Sequence, residues 1–169
     1  MNTSEKFNTD DNSHSTGFSI KELQSAYNAV FRNSTNQPGF CFWDFGNQIE
    51  SKTFRQRMVD LKNGLSNLCN SQLNKQLNYQ SVGRFNHQHT SKLHRDTANE
   101  YSFLMLGYEP TKVHSKVYVA DYSKYIETMN ISLEAFFEGD RDANLINNNS
   151  VLNSFVTELN PFPKILPKK

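Results

Sequence analysis

Apolar residues recur at helical spacing in the first half of this chain and mostly at a period of two in the second, so its two halves predict different elements. Ser19 and Glu22 form the S-x-x-E of a capping box, and Ile20, Leu23, Tyr27, Val30 and Phe31 follow on one face. They predict a helix over about 20–32. The run NSTNQPG breaks it, and the aromatic stretch FCFWDF at 40–45 predicts a short buried strand before Gly46. Phe54, Met58, Leu61, Leu65, Leu68 and Gln72 then return every three or four residues, which predicts a long helix over about 52–76 with one core-facing stripe. Gly64 weakens that helix midway.

Beyond residue 79 the pattern favours strands. Residues 79–89 read as a strand, 101–108 (YSFLMLGY) as a dense apolar one, and 113–122 as a third in which Val113, Ser115, Val117 and Val119 alternate with His114, Lys116 and Tyr118. The turn sequence EPTK joins the last two into an expected antiparallel hairpin. Ser132 caps a short helix, LEAFFE, that ends at Gly139, and RDANLINNNS reads as loop. Residues 1–18 are too polar to repay ordering and read as a disordered leader. Residues 19–160 then make a single domain, and 161–169 a proline-rich tail that cannot enter a central strand. Helices followed by antiparallel strands define an α+β chain.

Composition narrows the picture. Apolar residues are 36% of the 169 and the mean hydropathy is −0.70, so the core is lean, although thirteen Phe and seven Tyr partly compensate by area. A net charge of +1 leaves no basic footprint for nucleic acid or an anionic membrane, and neither partner is expected. No apolar run approaches a membrane span and the first residues lack the order of a signal peptide, which predicts a cytoplasmic protein. Cys41 and Cys69 stand far apart, outside any C-x-x-C, and indicate neither a disulfide framework nor a zinc ribbon. Nucleotide-binding, serine hydrolase, zincin and EF-hand motifs are absent.

Four metal-ligand side chains fall within ten residues: His87, His89, His94 and Asp96. Positions i and i+2 of a strand share a face at roughly 7 Å, so the imidazole of His94 and the carboxylate of Asp96 can meet one ion. A third donor would complete the 2-His-1-carboxylate face that suits Fe(II). An H-x-D triplet alone is expected by chance roughly a quarter of the time in a chain of this composition, so its surroundings must carry the claim.

Those surroundings are LHRD, SFLMLGYEPT, SKVYVADYSKY, SLEAFFE and FVTELNPF, between about 80 and 160. Over this half of the chain the sequence resembles the N-terminal part of an uncharacterised bacterial branch of the 2-oxoglutarate and Fe(II)-dependent dioxygenases. The resemblance implies a double-stranded β-helix, or jelly roll, with helices packed on one sheet. It also implies His94 and Asp96 as iron ligands, Fe(II) and 2-oxoglutarate as cofactors, and hydroxylation of an organic substrate, small molecule or peptide. The family pattern further requires a distal His and an Arg that pairs with 2-oxoglutarate. After Asp96 the chain offers only His114 and Arg141, and it has too few residues for a full jelly roll. The expectation is therefore an incomplete jelly roll whose site is unfinished and whose activity is impaired or absent in this chain alone.

Several residues keep two readings. His87 and His89 either replace the missing ligand or lie on a polar edge strand, and His114 is either a ligand or a solvated strand position. Lys92 and Arg95 either attract an acidic cosubstrate or are ordinary surface cations. Tyr108, Tyr118 and Tyr122 either bond a substrate or pack, and Asp44 reads as a turn residue at a strand end. The rival to an enzyme is a non-catalytic scaffold subunit that self-associates through the strand edge at 101–108.

Overall fold

The computed structural model describes residues 6–8, 17–84, 93–94, 102–109, 116–137 and 152–159. They mix helix and strand in an α+β arrangement: β1 (Lys6–Asn8), α1 (Ile20–Val30), β2 (Phe42–Asp44), α2 (Ser51–Leu73), β3 (Val117–Ala120), α3 (Tyr122–Met129), α4 (Leu133–Phe137) and β4 (Val156–Leu159). The chain divides into two compact units. One takes its described residues from Met1–Gln80 and Met105–Ser115, the other from Ser81–Leu104 and Lys116–Leu159. Among the described residues no helix is long and apolar enough to cross a membrane.

In the first unit, α1 starts where its capping box places it. The Ser19 amide donates to Glu22 Oε2 at 2.7 Å, and the Glu22 amide donates back to Ser19 Oγ at 3.2 Å. Two otherwise orphaned donors are thereby satisfied. The buried face of α1, Ala26 and Tyr27, packs on α2, whose buried residues are Phe54, Leu61, Leu65 and Cys69. Leu68, expected on this stripe, is only half-buried, and Cys69 takes its place. At roughly 100° per residue, position 69 lies about 40° from Leu65 and position 68 about 60°, so the smaller residue is nearer the centre of the face. Gln72 is exposed and donates from Nε2 to Gln24 Oε1 at 3.0 Å, a polar seam beside the apolar one. Asn74 ends the helix in the left-handed conformation, with its amide on Asn70 O.

Gly64 has a reason to interrupt α2. A Cβ there would stand 2.7 Å from both methyl carbons of Leu23, so the missing side chain is what lets α1 approach. The aromatic stretch forms its strand. β2 runs parallel to β1, with Phe42, Trp43 and Asp44 opposite Lys6, Phe7 and Asn8. The stretch read as a disordered leader thus contains a paired strand at these three residues. Phe18, at its end, sets its ring edge-on to Trp43 and Phe45, at 5.4 and 6.1 Å, and Phe45 meets Phe54 in the same way.

The second unit corrects the expected hairpin. Residues 102–109 carry no strand, and β3 pairs antiparallel with β4, more than thirty positions on, with Val117 opposite Leu159 and Ala120 opposite Val156. The part of 102–109 that lies in the first unit has its backbone against α2, as described below, and β3 takes the alternating VTEL of 156–159 instead. The strand expected over 79–89 is absent at 79–84, and 85–89 lie outside the described residues. The expected third strand stops at Ala120, because Asp121 caps α3: its Oδ1 accepts from the Lys124 amide at 3.0 Å. Ser132 caps α4 as expected, with Oγ accepting from the Ala135 amide at 3.0 Å. Tyr122 stacks on Phe136 at 5.9 Å, and Tyr125 lies edge-on to Phe155 at 5.5 Å, so rings hold this unit together. The described strands make two two-stranded sheets, with no jelly roll among them.

Replacing Gly64 by Ala tests the helix approach. In the wild type the helix-propensity gain of about 1 kcal/mol is expected to be cancelled or reversed by overpacking against Leu23. In a Leu23→Ala background the same change is expected to stabilise by about 1 kcal/mol, as read from urea midpoints. Equal effects in both backgrounds would contradict the contact.

Candidate functional site

Of the expected iron ligands, the described residues include His94, whose side chain is exposed beside the half-buried Leu93. Asp96, His87, His89, His114, Lys92, Arg95 and Arg141 lie outside the described residues. Among those described, no group of three or more His, Cys, Asp or Glu gathers where it could hold a metal ion. Of the expected pair, the described residues thus include His94 alone, as an exposed residue.

The tyrosines separate. Tyr122 is half-buried in the ring cluster of the second unit, which is the packing role. Tyr108 and Tyr118 are 48% and 43% exposed. Tyr118 stands opposite Glu158 on the outer face of the β3–β4 ribbon, next to an ion pair of Lys116 Nζ with Glu158 at 3.2 Å. That carboxylate raises the Lys116 pKa, and both partners face solvent, so the pair is screened by salt. Asp44 is the expected turn residue: its Oδ1 accepts from the Gly46 amide at 3.0 Å, where Gly46 takes a φ of 76°.

The thiols are protected. Burial raises the Cys41 pKa to about 12, from an ordinary 9.0, and raises that of Cys69 as well. Tyr27 is raised for the same reason, with the neighbouring Cys69 adding to it. A thiol is nucleophilic only as thiolate, so neither cysteine is set up for covalent catalysis.

The densest polar cluster joins residues more than fifty positions apart. Glu109 Oε2 accepts from Ser51 Oγ at 2.6 Å, and Oε1 accepts from Arg55 Nε at 3.0 Å and Nη2 at 2.9 Å. Ser51 and Arg55 sit one turn apart at the start of α2, where a carboxylate is also favoured by the helix dipole. Nothing local in the sequence announces this contact. A second cluster has Arg57 Cζ 5.9 Å from both the Phe18 and the Phe45 ring centres, with Nη1 3.5 Å from the Gly17 carbonyl. Both clusters fix chain segments to α2.

What fold and site define is thus an α+β chain in which the His of an H-x-D triplet is an exposed residue. Comparisons with protein-family models, with curated proteins and with solved structures give no match to this chain.

The raised thiols predict an alkaline dependence. A neutral thiol favoured by the fold leaves stability intact below the ordinary thiol pKa. It costs stability as pH rises from about 9 toward 12, because the unfolded chain ionises first. Thermal unfolding midpoints are expected to fall over that window and to fall less in Cys41→Ala. At pH 8, alkylation of Cys41 by iodoacetamide is expected to be ~100-fold or more slower in the folded chain than in urea.

Proposed function

We propose that this chain belongs to the chemistry of 2-oxoglutarate and Fe(II)-dependent dioxygenases, with His94 and Asp96 as two ligands of the iron. The observation that supports it best is the His94-Arg95-Asp96 spacing within the LHRD…SFLMLGYEPT…VADYSKY context, in which His94 is an exposed residue. Imidazole and carboxylate are the donor types that non-haem iron takes. Bound iron with 2-oxoglutarate supplies the oxidising power for hydroxylating an organic substrate. The residues here fit that metal as two donors of a facial set. With a single imidazole and a single carboxylate the affinity is expected to be weak. The incomplete double-stranded β-helix belongs to this proposal too.

Titration of the purified chain with Mn(II) or Fe(II) is expected to show uptake that weakens at least about tenfold in His94→Ala and in Asp96→Asn. No uptake, or uptake indifferent to both substitutions, would remove the site.

A second reading is supported by the exposure of apolar side chains at 102–109. Leu104 and Leu106 are each 59% exposed on a segment whose composition is that of a buried strand. In this reading the chain is a non-catalytic subunit that associates with a second copy. Size exclusion is expected to show a concentration-dependent dimer, lost in Leu104→Ser/Leu106→Ser. A monomer at every concentration would sink it.

A further inference from the structure

The segment at residues 105–109 is fastened to the first two turns of α2 by two anchors of different chemistry. One is ionic: the Glu109 carboxylate bound by Ser51 and Arg55. The other is apolar and close. A Cβ on residue 107 would stand 2.9 Å from both Met58 Cε and Phe54 Cε1, and closer still to Met58 Sδ, so the bare backbone of Gly107 lies directly on these side chains. Ser51, Phe54, Arg55 and Met58 fall at i, i+3, i+4 and i+7, one face of the helix. Phe54 is 8% exposed, whereas Leu106 and Tyr108 point outward at 59% and 48%. Met58, whose thioether makes the packed contact, is a half-buried residue.

We propose that residues 105–109 are a strap whose apolar anchor is released by peroxide. Hydrogen peroxide transfers one oxygen to Met58 Sδ: the S–O bond forms as the O–O bond breaks, sulfur loses two electrons, and the peroxide is reduced to water that keeps both hydrogens. The sulfoxide is larger and polar, and it stands against the Gly107 backbone in place of an apolar thioether. The apolar anchor lifts while the ion pair of Glu109 with Arg55, which peroxide does not touch, holds the far end of the strap. The device is reversible, because enzymatic reduction of the sulfoxide restores the thioether. It depends on neither iron at His94 nor association through Leu104.

The test uses the full chain with Met105→Leu and Met129→Leu, so that Met58 is the one thioether left besides that of Met1. After hydrogen peroxide, with oxidation at residue 58 verified by mass, amide hydrogen exchange across 105–109 is expected to rise about tenfold and to return after treatment with methionine sulfoxide reductases. Met58→Gln is expected to loosen the strap without peroxide, and Met58→Leu to hold it closed with peroxide present. Exchange unchanged with Met58 oxidised, or an equal rise in Met58→Leu, would overturn the proposal.

Discussion

One apolar face of α2 has to serve several partners, and the first unit is organised around that constraint. The face runs through Phe54, Leu61, Leu65 and Cys69. At its C-terminal half it takes Ala26 and Tyr27 of α1, and at its start it takes the Phe45 ring and the backbone of Gly107. In a chain with 36% apolar residues, a single helix face that works along its whole length is the economical way to form a core. It also explains why α2 tolerates a mid-helix glycine. The helix-propensity cost at Gly64 is offset by the closer approach of Leu23.

Polar contacts sort around that face by position. Ser51, Arg55 and Glu109 close the N-terminal end, Gln24 and Gln72 close the other, and Arg57 spans Phe18 and Phe45 between them. Each is at least partly exposed, so each contributes modestly on its own. Their effect is to fix register: which residue of a neighbouring segment lies over which turn of the helix. Among its described residues the second unit has no such helix and relies on the rings of Tyr122, Tyr125, Phe136 and Phe155, with a two-stranded ribbon that would be marginal without them.

Local signals were legible, and most were right. The Ser19–Glu22 box, the α2 stripe, the Ser132 cap and the Asp44 turn each concern residues within a few positions of one another, where helix geometry or a single hydrogen bond decides. The helix α3 was equally legible, from the Asp121 cap, the spacing of Tyr122, Tyr125, Ile126 and Met129, and Asn130 as a left-handed end. It was hidden by the alternation of 113–119, which invites a strand carried two residues too far. The proposed iron site was legible only as a spacing, and a third donor is not something a local pattern can supply.

The sequence by itself determined where α1, α2 and α4 begin, the apolar face that α1 and α2 present to each other, and that the chain mixes helix and strand, because those outcomes follow from periodicity and caps over a few residues. The tertiary structure decided the pairings. A strand-like run such as 101–108 satisfies its own pattern equally well in a hairpin or laid against a helix, and only the competition for partners selects between them. β3 found β4, and Glu109 found Arg55, across separations at which sequence carries no register and packing does.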